Sequence, residues 1–295
     1  MMDGTWYCDG WDPDLKILHR IRATLFDEAS PYQRVQVLDT HAFGRLLVID
    51  GLPQAAEHDE GVYARAIAWP PLLARPGARV LVTGGGDGHV AREALRFGDV
   101  RRVVVCDIDP LVTRATRTLM PFLWGEAAGD GRLDVRHEDA LAYLEALPPA
   151  SFDVVISDIT DPSGAGTASH HLYSEDYVRR IARVLAPGGV CAAQAQELSV
   201  RDASHHRRLR ALFAGGFAHV RSAAVYVPSF GYPEGFVYAS NDAAAVGVTT
   251  AAVAERLRGA RLADDPLFDA SVYQAMFMLP PVLRTSFEGG LGGRR

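Results

Sequence analysis

The sequence predicts an α/β protein: an open, doubly wound sheet of mainly parallel strands, preceded by a small antiparallel β unit and followed by a helical extension. Three observations carry this reading. Continuous apolar runs at Val80-Leu-Val, Val103-Val-Val-Cys, Val154-Val-Ile and Val190-Cys-Ala-Ala have the composition of strands covered on both faces. Amphipathic stretches alternate with these runs between Arg79 and Asn241. Upstream, residues 31–54 alternate on a two-residue period around turn glycines.

Taken in order, Tyr32–Leu38 reads as a strand, His41-Ala-Phe-Gly-Arg as a turn, and Leu46–Gly51 as a strand ending in a hairpin Asp-Gly pair. From Asp59 the period lengthens. Val62, Ala66, Ile67 and Trp69 predict a helix, which Pro70-Pro71 should stop because proline lacks the helical N–H. Further helices are expected over His89–Phe97, Asp139–Leu147 and Ser174–Leu185, the last with Ser174 as N-cap and Pro187-Gly-Gly beyond its end. Val220–Val227 and Gly235–Ser240 form a hairpin that adds antiparallel strands at a sheet edge. The expected organisation is a β unit over 1–58, an α/β domain over 59–241, and a helical extension with a mobile tail over 242–295.

Composition bounds the function. The net charge is −6, from 30 Lys+Arg against 36 Asp+Glu, a balance unlike that of a protein built to neutralise nucleic-acid phosphates. It suits a cationic small molecule better. Cys8, Cys106 and Cys191 are too few and too scattered for a disulfide scaffold or a thiolate metal site, which points to a reducing compartment. No apolar run approaches the roughly 18 residues of a membrane span, and no basic start leads into an apolar leader. A cytoplasmic location is expected.

The chemistry concentrates at predicted strand ends. Gly84-Gly-Gly-Asp-Gly88 joins a buried strand to a helix, where glycines let the backbone approach a ligand closely. Asp107 ends the next strand about 20 residues on, where nucleotide folds place an acid on a ribose. Asp87, inside the glycine turn, would repel a pyrophosphate and attract a cation, which favours a sulfonium nucleoside over NAD. Asp139, within Glu138-Asp139-Ala140, is placed to hold an adenine amino group or to cap a helix, and can do both. Asp158 and Asp161 flank Ile-Thr after a further strand; two such carboxylates can act as base, cation clamp or metal ligands. No His-x-His or further acidic cluster accompanies them, so no metal is expected. His170-His171 and His205-His206 are not spaced as ligands on one helix face and are expected at the surface.

These runs, in this order, resemble the polyamine aminopropyltransferases, the spermidine synthase family, over Pro31–Asn241. The matching segments are Tyr32-Gln33, Phe43–Gly51, Gln54, Asp59-Glu60 with Tyr63, Gly84–Gly88, Cys106–Asp109, Asp158–Pro162, and Val227–Phe230 through Gly235-Phe236. The resemblance implies an N-terminal strand domain and a Rossmann-like, class I methyltransferase-type catalytic domain, assembled as a homodimer or homotetramer. It implies aminopropyl transfer from decarboxylated S-adenosylmethionine, a co-substrate, to a small-molecule amine, with no tightly bound cofactor and no metal. It assigns acceptor deprotonation to Asp158, amine binding to Asp161, and a place beside the reacting nitrogen to Tyr63. Donor binding falls to Gln33, Gln54, Gly84, Gly86, Asp87, Asp107, Ile108, Asp139 and Ala140, and acceptor contact to Gln196 and Phe230. Without the resemblance, Gln33 and Gln54 would read as strand surface and Tyr63 as helix packing.

Three departures bear on the acceptor. Tyr63 is followed by Ala64-Arg65 where many members carry His or Gln and then Glu. The strand after Pro187 ends Gln194-Ala195-Gln196-Glu197, putting a neutral Gln196 where an acid is common. Phe230 replaces a usual Tyr. In these features the chain is more similar to thermospermine-synthase-like and agmatine- or triamine-using members. A methyltransferase and a non-catalytic nucleoside-binding relative remain as alternative readings.

Overall fold

The computed structural model describes residues 4–160 and 168–287. Asp161, Pro162 and the expected mobile tail lie outside the described residues.

Five strands make the first sheet: β1 (Thr5–Cys8), β2 (Leu18–Ala29), β3 (Arg34–Thr40), β4 (Gly44–Ile49) and β5 (Leu52–Ala56), paired antiparallel in chain order. The β4–β5 turn is the expected Asp50-Gly51 pair, both at positive φ (48° and 84°) as a tight hairpin with the strands' twist requires. β1 and β2 were not foreseen. β2 leaves most of its residues exposed and so lacks an apolar alternation.

The second sheet contains β6 (Arg79–Gly84), β7 (Arg102–Cys106), β8 (Leu133–Arg136), β9 (Phe152–Asp158), β10 (Leu185–Glu197), β11 (His219–Val227) and β12 (Tyr232–Ser240), in the order β11-β12-β10-β9-β6-β7-β8. The strands from β10 to β8 run parallel, and β12 and β11 add antiparallel at the edge, as expected. Strand order reverses between β6 and β9, the position where open α/β sheets bind ligands.

Helices cover both faces. Val80, Val82, Val154 and Ile156 point to one side, against α1 (Glu60–Ala74), α2 (His89–Leu95) and the C-terminal α8 (Thr250–Gly259) and α9 (Ala270–Met276). Leu81, Val104 and Val155 point to the other, against α4 (Ala140–Ala146), α5 (Glu175–Val184) and α6 (Ser204–Gly216). The inner face of the first sheet, through Val35, Val37, Leu47 and Ile49, buries itself on α3 (Pro110–Leu119) and the turns after it, including Trp124. Short helices α7 (Ala243–Val246) and α10 (Pro281–Ser286) complete the C-terminal segment.

Two expectations are corrected. Pro70-Pro71 does not stop α1, which continues to Ala74. Proline at 70 leaves the Ala66 carbonyl without its helical donor, and the buried Tyr238 hydroxyl supplies one at 2.6 Å. His206, expected at the surface, is fully buried on the sheet-facing side of α6, with Nε2 2.9 Å from Ser222 Oγ. Burial pushes its imidazole down to about 3, so it is neutral.

The departure at Ala64-Arg65 also finds its place. Arg65 turns away from the strand ends and pairs with Asp265 (Nη2–Oδ2 3.0 Å), while Ala64 is buried. Glu93, almost wholly buried, receives Trp69 Nε1 (3.1 Å), Arg92 (2.9 Å) and Arg96 (3.1 Å), and Arg96 bonds Asp265 at 2.8 Å. This ion network fastens the segment between α8 and α9 onto α1 and α2.

Candidate active site

A cleft opens at the C-terminal ends of β6, β7 and β9 and is roofed by the first sheet. The glycine turn forms its floor. Gly84 and Gly85 sit at φ +76° and +67°, and a Cβ on Gly84 would lie 2.0 Å from the Asp158 carbonyl oxygen. Only glycine permits that approach. The Gly85 N–H donates to the same carbonyl at 3.1 Å, so the turn and the end of β9 are joined directly.

Asp107 follows β7. Its carboxylate accepts from the backbone N–H groups of Gly86 and Asp109, both at 2.8 Å. Burial and neighbouring acids raise its pKa to about 6 against those two donors. Asp139 caps α4, accepting from Ala142 N–H at 2.8 Å, and its second oxygen lies 2.7 Å from His171 Nε2. Asp139 is thus an N-cap, as one of its two readings expects, and it also lines the cleft. His171 is exposed as expected, yet it also lines the cleft, while His170 stays at the surface.

The roof is tied down through Ser30. Its hydroxyl accepts from the N–H groups of Tyr32 (3.0 Å) and Gln33 (3.2 Å) and donates to Asp109 at 2.8 Å, holding Gln33 over the cleft. Gln54 reaches the same cleft from β5, with Nε2 donating to Leu52 O at 3.1 Å.

At the far end, Tyr63 on α1 donates its hydroxyl to Asp158 Oδ1 at 2.5 Å. Phe230, Phe236 and His89 present edges to the Tyr63 ring at 6.1, 5.3 and 5.4 Å and fix its plane. The start of α1 is itself anchored: Asp59 accepts from the N–H and hydroxyl of Ser229 at 2.6 and 2.9 Å, which also sets the loop carrying Phe230. Burial raises the Asp158 carboxyl to about 6, opposed by the charge on His89 and the Tyr63 hydroxyl and reinforced by Asp87 and Asp107. His89 lies between the two carboxylates, Nδ1 2.9 Å from Asp87 and Nε2 4.0 Å from Asp158. Burial works against its charge, but Asp87, Asp158 and Glu60 outweigh it and raise the imidazole to about 9.

Gln33, Gln54, Tyr63, Gly84, Gly86, Asp87, Asp107, Ile108, Asp139, Ala140, Asp158 and Phe230 all line this one cleft. Gln196 does not. It is buried at positive φ (60°) in a bulge between Gln194 and Glu197, and the bulge leaves Gln194 on the cleft instead. His89, His171, Gln194, Tyr232 and Glu234 also line the cleft and were not foreseen there. Only His89 carried a sequence signal, its place directly after the glycine turn. Among the described lining residues there is no Lys or Arg, so the cleft presents acids and neutral groups with histidine as its one cationic side chain type.

Residues 60–246 match the family model described as the spermine/spermidine synthase domain, and residues 5–57 match the spermidine synthase tetramerisation domain. A polyamine aminopropyltransferase of Aeropyrum pernix is 37% identical over 239 residues, covering 81% of this chain and 76% of its own. Polyamine aminopropyltransferase 2 of Pseudomonas aeruginosa is 36% identical over 232 residues, covering 78% of this chain and 66% of its own. In three dimensions the chain is similar to the spermidine synthase of Thermotoga maritima, with a TM-score of 0.86 at 22% identity over 97% of this chain and 95% of that one. A spermidine synthase crystallised with the transition-state analogue AdoDATO gives a TM-score of 0.87 at 22% identity, over 97% and 96% of the two chains. The α/β fold with its N-terminal antiparallel sheet is the fold of those enzymes, and the chain belongs to the spermidine synthase family of polyamine aminopropyltransferases.

Proposed function

We propose that this enzyme transfers an aminopropyl group from decarboxylated S-adenosylmethionine to a di- or polyamine, releasing methylthioadenosine. The observation that carries this reading is the acidic cleft without Lys or Arg, which joins a nucleoside-type floor to the Tyr63–Asp158 pair. Asp107 takes the ribose, Asp139 and Ala140 face the adenine, Gln33 and Gln54 close over the donor, and Asp87 pairs with its ammonium. The acceptor enters from the side of Phe230, Tyr232, Gln194 and Glu234, with Asp161 as a further anion for its distal amine.

The nucleophile must be a neutral amine, whereas an alkylammonium has a pKa of about 10. Asp158, ionised above about 6, receives that proton. The freed lone pair then attacks the propyl carbon next to sulfur. The C–S bond breaks, its electron pair returns to sulfur, and the sulfonium charge disappears as the new secondary ammonium forms. Tyr63 holds Asp158 in place. No step requires a metal or a tightly bound cofactor.

Phe230, with no hydroxyl, makes the acceptor side less polar than a tyrosine would, in keeping with an acceptor other than plain putrescine. Assembly as a homodimer or homotetramer would use the N-terminal sheet, whose long β2 exposes Leu18 and Leu25. No described helix is long and apolar enough to cross a membrane; with the three free cysteines this accords with a cytoplasmic enzyme.

The test is an acceptor panel with decarboxylated S-adenosylmethionine, read by product mass. Methylthioadenosine formed with an amine product supports the reading; methyl transfer from intact S-adenosylmethionine would replace it. Asp87→Asn should also narrow the preference for the decarboxylated over the intact donor by about tenfold, measured by calorimetric titration.

A further inference from the structure

We propose that His89 is a positioning residue whose proton stands in for substrate charge between Asp87 and Asp158 and leaves when the cationic donor binds. The inference rests on the donor reading of the cleft. Its observations are geometric. His89 is 2% exposed and lines the cleft. Its Nδ1 lies 2.9 Å from Asp87 Oδ2, without the alignment of a hydrogen bond. Its Nε2 faces Asp158 Oδ2 at 4.0 Å and has no hydrogen-bond partner.

The groups around the imidazole come from four elements. Asp87 belongs to the glycine turn and Asp158 to β9. Glu60 and Tyr63 belong to α1, where Glu60 is already paired with Arg92 at 2.8 Å. Asp107, after β7, adds its charge to Asp158. Burial works against the imidazolium, but two carboxylates on one imidazole favour it and raise its pKa to about 9.

The donor brings a sulfonium and an ammonium to the same two carboxylates. A unit positive charge about 4 Å from the imidazole, at an effective dielectric near 20, lowers its pKa by about three units. That takes His89 from about 9 to about 6. At pH about 7.5 the proton therefore passes to solvent as the donor enters, and the carboxylates exchange one cation for another. Asp158 is then left as an ionised base beside a neutral imidazole, ready to receive the acceptor's proton. The donor's own ammonium keeps its proton.

The experiment is calorimetric titration of the full-length protein at pH about 7.5, with chelator present, in two buffers of different ionisation enthalpy. Decarboxylated S-adenosylmethionine should release close to one proton per site, about 0.9. Methylthioadenosine, which lacks both positive charges, should release about none. Donor affinity of the wild type should rise by up to about tenfold per pH unit between pH 6 and 9, because binding expels a proton. In His89→Asn, checked for folding by thermal melt, release should vanish and that slope flatten, and KM for the donor should lose its pH dependence while the acid limb of kcat remains. Donor binding with no proton release, or equal release by donor and methylthioadenosine, overturns the proposal on the wild type alone. Equal release by His89→Asn overturns it as well. A protein that binds no decarboxylated S-adenosylmethionine overturns the donor reading itself, and the proposal with it.

Discussion

Tyr63→Phe removes one hydroxyl and tests the centre of the site. In the wild type that hydroxyl donates to Asp158 Oδ1 at 2.5 Å and helps hold the buried carboxyl at about 6. A hydrogen bond to a charged group contributes about 1.5–3 kcal/mol, or about one to two pK units. Its loss favours the protonated acid, so Asp158 should titrate at about 7–8 in the variant. The sign follows from the proposed role: a base works ionised, so activity should be lost as pH falls through its pKa. At pH about 7 the ionised fraction drops from about nine-tenths to between a tenth and a half, a decrease of about two- to tenfold in kcat/KM. Because the ring stays in its cage of Phe230, Phe236 and His89, the deficit should shrink on going to pH about 9. The assay is kcat/KM against pH for both proteins at saturating donor. An acid limb that overlays the wild type's, or a deficit equal at every pH, would refute the assignment of Tyr63 to the charge state of Asp158.

Asp158→Asn should lower kcat by roughly 10²–10⁴, measured by steady-state kinetics at saturating donor and acceptor. Gly86→Ala would put a Cβ 2.6 Å from the Asp107 carboxyl carbon, and donor affinity should fall by about tenfold or more with acceptor KM little changed. Tyr238→Phe would leave the Ala66 carbonyl unpaired inside α1; denaturant unfolding should show a loss of about 1–2 kcal/mol. Asp265→Ala would strip Arg65 and Arg96 of a shared partner whose side chain is shielded from solvent, at a cost of about 3 kcal/mol and several degrees in Tm.

Most of the second sheet was legible because its strands are buried on both faces. Val80–Val82, Val103–Val105 and Val154–Ile156 have no polar side to disguise them, and the glycine turn and strand-end acids follow from their positions. β2 was hidden because it is held by its pairing with β3 and buries little of its own surface. The length of α1 was hidden because the donor that replaces the missing proline N–H comes from Tyr238, far along the chain. Gln196 sits at the right count along its strand, yet a bulge turns it inward, and strand alternation cannot report a bulge. His89 has no partner nearby in sequence except Asp87; Asp158 joins it only because Gly84 and Asp158 are in register across β6 and β9.

The Arg65–Asp265 contact spans 200 positions of chain, and this has a consequence for synthesis. A ribosome that has released α1 and the glycine turn must continue through every described strand before Arg65 and Arg96 acquire their shared Asp265 carboxylate and Trp69 its neighbour Phe268. Until then the helix that carries Tyr63 has an uncovered back. Nascent chains arrested with Asp265 still inside the ribosome should therefore be cut by protease within 60–74 even though every described strand has been translated, and chains extended by a linker that lets Met276 emerge should be protected. The C-terminal segment, which contributes no described residue to the cleft, would then decide when during translation the cleft becomes firm.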